Sequence, residues 1–339
     1  MKLKLAYFGT PDFSARLLEK IITDKDLPVE VKLVITQPDK PVGRKKILTS
    51  SPVKQVSEKY HIKTLTHLSV VSSHLSDVDL ALLYAFGQII PAELLKLPKY
   101  GFWNIHPSLL PKYRGASPMA YPLIIGDDKT GVTLIQMDEQ MDHGPIIAQE
   151  EYKILPTDKR PDLETKLTNL GFELFKKSIQ QPISTNFNPS TSLRASQFKL
   201  ITQDERLASF TRRLTRADGF IPHSALKKAL NNEPLTFDEL PELIKDYYQY
   251  NKQLISTNFN QFQPIFSAKQ IYNLFHALFP WPGLWTKIMI NGQEKRLKIT
   301  DLSLDVLQAT RFALHIKNVQ LEGKKDVTYD QFRKQYIDL

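Results

Sequence analysis

Short apolar runs alternate with helix-spaced apolar positions along the first half of the chain. Residues 3–8 are apolar and lead into the turn Gly9-Thr10-Pro11-Asp12. Apolar residues then recur at helical spacing across residues 13–22. This pattern predicts a strand, a turn and a helix in that order.

Four further β-rich runs follow the first helix, and helix-compatible stretches separate several of them. The runs cover residues 29–35, 80–86, 103–105 and 132–137. Alternating strands and helices predict an α/β fold with a doubly wound, mostly parallel, Rossmann-like sheet. Ligands of such sheets bind at the carboxyl ends of the strands. We therefore expect the functional site in the loops that follow Phe86, Ile105 and Met137.

The second half of the chain has a different pattern. Residues 181–196 are rich in Ser, Thr, Asn and Pro, which is typical of a linker, whereas residues 235–250 and 271–279 have helical patterns. Short β-like runs then follow at residues 285–290, 295–302 and 313–319 and around Val327, separated by Asn-Gly and Glu-Gly-Lys turns. These runs predict a small, OB-like β-barrel as the C-terminal domain.

Chain length and composition refine this picture. A length of 339 residues favours two domains, which we expect at 1–183 and 206–339 with a linker at 184–205. Cysteine is absent from the sequence, and the eight histidines lack metal-ligand spacing, so no metal is expected. Because the sequence has neither a long apolar run nor a targeting pattern, we expect a cytoplasmic protein without a membrane partner.

The formal net charge is +9, and most of the excess follows residue 183. A basic second half suits a polyanionic partner such as a nucleic acid, because Lys and Arg neutralise phosphates. The alternative is a charged surface that only keeps the protein in solution. Charge alone favours this alternative.

The segment from Asn104 to Gly115 contains the first candidate catalytic residues. Asn104 and His106 are two positions apart, so both side chains point to one face of an extended chain, and Pro107 then ends the strand. A histidine that exchanges protons beside an amide that stabilises an oxyanion suits acyl transfer. The alternative is a pair of polar residues that only terminates the strand.

A polar, glycine-closed loop follows the run at 132–137 and contains three carboxylates. Asp142 could reach His106, fix the orientation of its ring and stabilise its protonated form. Asp138 and Glu139 offer the same chemistry, and a loop with three carboxylates is often only a solvated loop. His143 either belongs to the site or is a loop residue without a partner.

Six strings in this order resemble the methionyl-tRNA formyltransferase family within the folate-dependent formyltransferases. They are FGTPDFSARLL, TQPDKPVGRKK, LLYAFGQIIP, NIHPSLLPKYRGASP, GVTLIQMDEQMDHGPI and PWPGLW. The resemblance is dense over about residues 5–150 and returns at residues 279–285 and 322–332. It implies Asn104, His106 and Asp142 as the catalytic residues. It further implies folate contacts from two groups of residues, namely Ser108, Leu109, Leu110 and Pro111, and Phe86, Gly87 and Ile90 at the pteridine pocket.

Two features bear on the acceptor that the resemblance implies. Residues 36–50 form a basic loop with Pro and Gly hinges, in which Arg44, Lys45 and Lys46 are expected to contact the acceptor stem of a tRNA; the alternative is a solvated loop. The basic C-terminal domain is the second feature. A further basic group, Arg212, Arg213 and Arg216, either faces tRNA or lies on a helix surface.

The resemblance predicts transfer of a formyl group from 10-formyltetrahydrofolate to the amino group of methionyl initiator tRNA, by an enzyme that we expect to be a monomer. The alternatives are a related formyltransferase that acts on a sugar nucleotide or on water, and a non-catalytic RNA-binding relative. The sequence departs from the family pattern at His143, at Tyr121, where the family has Trp, and in the unfamiliar stretch 231–264.

Overall fold

The computed structural model describes residues 2–43, 45–180, 200–251, 268–308 and 311–336. The chain forms two compact units. The first unit comprises Met1–Ala116, Lys129–Lys153 and Leu163–Ala208; the second comprises Ser117–Asp128, Ile154–Asp162 and Ser209–Leu339. The domain boundaries expected from the sequence stay a prediction, and residues 181–199 of the linker region lie outside the described residues.

The strands and helices follow one another in α/β order before the chain turns to antiparallel strands. The strands are β1 Leu3–Gly9, β2 Val29–Ile35, β3 Lys40–Val42, β4 Ile47–Thr49, β5 Thr64–Leu65, β6 Leu80–Tyr84, β7 Phe102–His106, β8 Arg114–Gly115, β9 Lys129–Gln136, β10 Ile146–Lys153, β11 Phe210–Thr211, β12 Leu284–Ile290, β13 Gln293–Gln308, β14 Arg311–Leu321 and β15 Asp326–Thr328. The α-helices are α1 Asp12–Thr23, α2 Pro52–Lys59, α3 Ser72–Leu75, α4 Ala92–Leu95, α5 Tyr121–Ile125, α6 Arg160–Gln180, α7 His223–Leu230, α8 Glu242–Tyr250, α9 Ala268–Leu278 and α10 Tyr329–Tyr336. Short 3₁₀ turns cover Leu68–Val70, Glu205–Leu207, Ala217–Gly219 and Phe237–Glu239.

A seven-stranded sheet forms the centre of the first unit, in the order β10-β9-β7-β6-β1-β2-β5. The strands from β7 through β6, β1 and β2 to β5 are parallel to their neighbours. The pairs β7–β9 and β9–β10 are antiparallel. The predicted mostly parallel sheet is confirmed, with one antiparallel edge that the sequence pattern did not indicate.

Burial on both faces explains why the central strands are almost continuously apolar. On β1, residues 5–9 are buried. The ring of Phe8 packs against those of Phe86 and Phe102 at centroid distances of 5.5 and 5.0 Å. Helix α1 buries Leu17 and Leu18. The loops at the carboxyl ends of β1 and β6 therefore follow strands that are firmly packed in the core.

The second unit contains an antiparallel sheet in the order β12-β13-β14-β15. Helix α9 buries an apolar stripe that includes Ile271, Leu274 and Phe275. A four-stranded antiparallel sheet is consistent with the small β-barrel expected for the C-terminal domain. The predicted fold class is confirmed in both units.

Two local predictions differ from the structure. The helical pattern at 235–250 gives a helix only from Glu242 onward, because the residue before a proline avoids helical angles and Leu240, before Pro241, has ψ of 150°. The basic loop is a β-hairpin in which Lys40 pairs with Thr49. A turn at Gly43, with a positive φ of 72°, joins the two short strands of the hairpin.

Candidate active site

The candidate site lies at the carboxyl ends of neighbouring strands of the first unit. Strands β6 and β7 are parallel, and Leu83 pairs with Asn104. Asn104 and His106 lie on β7 two residues apart and are buried, with 6% and 4% of their surface exposed. Burial of two polar side chains at a strand end requires hydrogen-bond partners.

Asp142 provides a partner for Asn104. The amide Nδ2 of Asn104 donates to Oδ1 of Asp142 over 3.2 Å. The backbone N–H of Gly115 donates to Oδ2 of Asp142 over 2.8 Å. Both carboxylate oxygens of Asp142 thus accept a hydrogen bond, which fixes the plane of the carboxylate.

His106 lies between a carbonyl and the same carboxylate. Its Nε2 is 3.0 Å from the carbonyl oxygen of Tyr113. Its Nδ1 is 3.5 Å from Oδ1 of Asp142. A carbonyl only accepts hydrogen bonds, so Nε2 has to be the donor. Nδ1 of His106 is therefore the ring nitrogen that faces the carboxylate of Asp142.

The loop around Asp142 has a constrained backbone. Asp142 has φ of +53°, a left-handed conformation that Asp and Asn adopt more readily than most residues. A Cβ on Gly144 would lie 1.8 Å from the carbonyl oxygen of Gln136, so only glycine allows this approach. The loop is thereby packed against the end of β9.

The two other carboxylates of the loop lie elsewhere. Asp138 accepts a hydrogen bond from Nδ1 of His143 at 2.6 Å and one from the backbone N–H of Gln140 at 3.0 Å. Glu139 is exposed and lies 3.9 Å from Nζ of Lys96. Of the three carboxylates, the structure brings Asp142 to Asn104 and His106. His143 is not the partnerless loop residue that the sequence left open.

The strip from Ser108 to Pro111 follows β7. Ser108 is buried and its Oγ donates to the carbonyl of Lys112 over 2.7 Å. Leu110 packs in a small apolar cluster with Ile135 and Ile146. Leu109 and Pro111 are partly exposed. The side chains of Ser108 and Leu110 thus serve the fold of the strip, and those of Leu109 and Pro111 are the ones partly accessible to a ligand.

The turn after β6 contains the other expected folate contacts. Phe86 and Ile90 are buried in the main apolar cluster of the sheet, while Gly87 is exposed with φ of +79°. The carbonyl of Phe86 accepts hydrogen bonds from Oγ1 of Thr10 at 2.8 Å and Nε2 of Gln37 at 2.9 Å. Residues from the ends of β1 and β2 therefore fix the turn after β6.

Two of the three cations expected to contact tRNA are described. Lys45 and Lys46 lie exposed in the turn of the β3–β4 hairpin, and Lys46 has φ of +49°. Arg44 lies outside the described residues. Exposed apolar side chains flank the turn, with Ile47 63% exposed and Val42 57%. The exposed lysines and apolar side chains of this hairpin are therefore accessible to a binding partner.

The three arginines Arg212, Arg213 and Arg216 do not form one group. The guanidinium of Arg212 binds both carboxylate oxygens of Asp218, at 2.7 and 2.9 Å, and Asp246 at 2.8 Å. It is therefore engaged within the unit and lies on no helix, whereas Arg213 and Arg216 are exposed. Arg212 therefore does not lie on a helix surface, and contact of these arginines with tRNA stays a prediction.

Sequence reasoning missed a polar network behind the Asp142 loop. Arg114 is buried, and it donates to Oε1 of Gln203 and to both carboxylate oxygens of Glu205. The Arg114 guanidinium holds the pKa of Glu205 below its ordinary value. Arg114 belongs to the string NIHPSLLPKYRGASP, but Gln203 and Glu205 come after a polar stretch without a periodic pattern, so no signal indicated them.

The described part of the chain offers no group of three or more His, Asp or Glu residues suited to a metal ion. It also has no helix of sufficient length and apolarity to span a bilayer.

Comparison with known proteins identifies the family. Residues 1–179 match the formyl transferase family model. A methionyl-tRNA formyltransferase from Staphylococcus epidermidis is 37% identical over 309 residues, covering 88% of this chain and 94% of that protein. One from Staphylococcus aureus is 31% identical over 349 residues, covering 95% and 93%. The chain belongs to the methionyl-tRNA formyltransferase family.

Solved structures agree with the fold of this family. An N-formyltransferase from Helicobacter canadensis, in complex with folinic acid and dTDP-3-aminofucose, is similar with a TM-score of 0.56 and 21% identity, covering 97% of this chain and 99% of that chain. A 4-N formyltransferase from Francisella tularensis gives a TM-score of 0.55 at 18% identity, covering 86% and 95%. At these identities the likeness concerns the fold.

Proposed function

We propose that the protein transfers the formyl group of 10-formyltetrahydrofolate to the α-amine of methionyl initiator tRNA, giving formylmethionyl-tRNA. The main support is the contact of Asn104, His106 and Asp142 at one strand end in a chain of this family. We further propose that the enzyme acts in the cytoplasm as a monomer, with a catalytic domain at 1–183, a linker at 184–205 and a tRNA-binding domain at 206–339.

Asn104 and His106 stabilise the oxyanion in this proposal. The Asn104 amide nitrogen has two hydrogens, and its bond to Asp142 uses one of them. The second can donate to the formyl oxygen as negative charge develops there after attack by the amine. A protonated His106 adds positive charge, which the carboxylate of Asp142 supports.

His106 also supplies the proton that the leaving nitrogen of the folate needs. Nε2 is engaged by the carbonyl of Tyr113, so Nδ1 is the nitrogen that exchanges a proton. The carboxylate of Asp142 at 3.5 Å can hold a water through which this exchange runs. The attacking amine in turn loses a proton, which returns the imidazole to its protonated form.

The turn after β6 suits a folate ring. A flat heteroaromatic ring packs on apolar surface and pairs its edges with main-chain groups. Phe86 and Ile90 form a buried apolar base there, and the backbone at Gly87 is exposed beside it. Ser108, Leu109, Leu110 and Pro111 extend the proposed contact along the strip that follows β7.

The β3–β4 hairpin suits the acceptor stem of a tRNA. Lys45 and Lys46 are exposed in its turn, where their charges can neutralise phosphates, and Arg44 is proposed to act with them. Phosphate contacts of this kind orient a nucleic acid without reading its sequence. The amine to be formylated would thereby be directed to the end of β7.

The decisive experiment incubates the purified protein with 10-formyltetrahydrofolate and charged initiator tRNA, followed by analysis of the aminoacyl group. We expect formylmethionine on the tRNA. Parallel reactions with an amino-sugar nucleotide and without any acceptor measure the alternative acceptors. Formylation of the sugar or hydrolysis of the folate, with the methionyl group unchanged, would overturn the proposed acceptor. Folate binding without any turnover would favour a non-catalytic RNA-binding relative.

A further inference from the structure

The backbone of the Asp142 loop is bound by a single side chain that comes about sixty residues later. The amide Nε2 of Gln203 donates to the carbonyl of Asp142 over 2.9 Å and to the carbonyl of Gly144 over 2.8 Å. An amide nitrogen has two hydrogens, so both are used on the two carbonyls. Gln203 is buried, with 6% of its surface exposed.

Arg114 fixes which way the Gln203 amide points. Its Nε and Nη2 lie 3.2 and 2.8 Å from Oε1 of Gln203. A guanidinium only donates hydrogen bonds, so the group that faces it has to be the oxygen and the nitrogen has to face the loop. Glu205 balances the charge of Arg114 through Oε1 and Oε2, at 2.6 and 2.9 Å.

The bonds from Gln203 lie at the part of the loop whose backbone is most constrained. Asp142 has φ of +53°, a left-handed conformation that costs free energy for any residue with a Cβ, so surrounding contacts have to hold it there. Gly144 approaches the carbonyl of Gln136 so closely that the loop has little room to shift on that side. The Gln203 amide holds the loop through the carbonyl of Asp142 itself and that of Gly144, while Asn104 and Gly115 bind the carboxylate.

We propose that Gln203, oriented by Arg114, is a positioning residue that sets the place of the Asp142 carboxylate against Asn104 and His106. This inference rests on the proposed function, because it assigns Gln203 a role through Asp142. Gln203 does not reach the reacting atoms in this role. Displacement of a catalytic group by about 1 Å can lower turnover about 100-fold.

The test compares Gln203→Met and Gln203→Glu with the parent enzyme. Met keeps much of the volume and removes both donors. Glu keeps an oxygen that faces Arg114, but its second oxygen, which cannot donate a hydrogen bond when ionised, then faces the two carbonyls. Steady-state kinetics with 10-formyltetrahydrofolate and methionyl initiator tRNA should give a kcat lowered about 10- to 100-fold, with both KM values within about threefold. Gln55→Ala is the matched control, since it removes a side-chain amide bond to the carbonyl of Ser50.

A double-mutant cycle separates positioning from a general structural role. In an Asp142→Asn background, measured by single turnover, Gln203→Met should cost less than about threefold, because the group that Gln203 positions is already impaired. An equal loss in both backgrounds, or a parent-like kcat of both Gln203 variants, overturns the positioning role. Circular dichroism checks that each variant is folded, and if one of the two is unfolded, the kinetics of the other decide the test. If both variants are unfolded, Gln203 serves stability and the positioning role is overturned.

The parent reaction distinguishes this inference from the proposed function. An inactive parent refutes the proposed function and, with it, the role through Asp142. An active parent with unaffected Gln203 variants refutes the positioning role alone. An active parent with a kcat loss that disappears in the Asp142→Asn background supports both.

Discussion

The amide of Asn104 donates to Oδ1 of Asp142, the same oxygen that lies 3.5 Å from Nδ1 of His106. One carboxylate oxygen therefore orients the amide and faces the imidazole at once. Groups that share an orienting partner are coupled, so loss of the partner should affect both. The consequences of this shared contact can be measured separately for each residue.

Asn104→Ala removes the amide that is proposed to donate to the oxyanion. We expect turnover to fall about 100- to 1,000-fold, as for other lost oxyanion donors. Folate affinity should stay within a few-fold, because the donor acts mainly on the transition state. Steady-state kinetics and a folate titration measure the two quantities. Unchanged turnover would remove Asn104 from the mechanism.

Asp142→Asn keeps the shape of the side chain and removes its charge. The imidazolium of His106 then loses its counter-charge, so turnover should fall by orders of magnitude. Glu139→Gln is the matched control from the same loop, since this exposed carboxylate lies only near Lys96. Kinetics of both variants should give a loss for Asp142→Asn alone; the reverse order would mean that a different carboxylate serves His106.

Gly144→Ala tests the close packing of the loop against β9. The added Cβ would meet the carbonyl oxygen of Gln136 at 1.8 Å, so the backbone around Asp142 has to move. We expect turnover to fall at least about tenfold, because small displacements of catalytic groups are costly. A crystal structure of the variant and its kcat check this together, and full activity with an unmoved loop would contradict it.

Neutralising the turn of the hairpin should weaken the use of tRNA. In the Arg44→Ala, Lys45→Ala, Lys46→Ala variant, kcat/KM for methionyl initiator tRNA should fall, and its salt dependence should flatten by roughly one slope unit per lost phosphate contact. Folate KM should stay unchanged. Lys2→Ala with Lys25→Ala, two exposed lysines elsewhere, is the control. Equal constants at every salt concentration would exclude the hairpin from tRNA binding.

A buried histidine of the second unit predicts a pH dependence of stability. Burial lowers the pKa of His276, whose Nδ1 donates to the carbonyl of Asp158 over 2.8 Å. The folded protein thus favours the neutral ring, while the unfolded chain takes up a proton below about pH 6.5. The stabilisation is present above that value and is lost as the pH falls from there through the lowered pKa.

Thermal unfolding at about pH 5.5 and about pH 7.5, on either side of the ordinary histidine pKa, tests this dependence. The decrease in Tm on acidification should be smaller in His276→Gln than in the parent, because Gln does not titrate. His315→Gln, an exposed histidine on β14, should retain the decrease seen in the parent. An identical decrease in the parent and in His276→Gln would contradict the prediction.

The pattern of apolar residues predicted most of the fold because the strands have either a continuous apolar run, as β1 has, or an alternation of buried and less buried positions, as β12 has. The runs at 29–35 and 103–105 fall on β2 and β7, and the C-terminal runs on β12 to β14. The antiparallel strand β10 was not predicted, because its second half is polar and mostly exposed and only Ile146 at its start is buried. A strand of this kind has no continuous apolar run to indicate it.

The candidate site was predictable where chemistry and spacing coincide. Asn104 and His106 stand two apart on one strand, so the alternation of an extended chain is enough to place both side chains on a common face. The contact of Gln203 with the Asp142 loop depends on the path of the chain over about sixty residues. The pattern of a single sequence holds no information about such distant pairs, so this contact could not be predicted.

Residues 201–203 contact the start of β10 and the Asp142 loop, and these contacts limit where the protein can be truncated. Ile201 exchanges two backbone hydrogen bonds with Ile146, at 2.8 and 3.0 Å, beside the carbonyls that Gln203 binds. A fragment that ends at residue 183 would lose this extra strand contact and the Gln203 amide together. A truncated protein meant to retain these contacts should therefore extend at least through Ala208, the last residue of the first unit. A fragment cut at the polar stretch would leave the first residue of β10 without its outer neighbour.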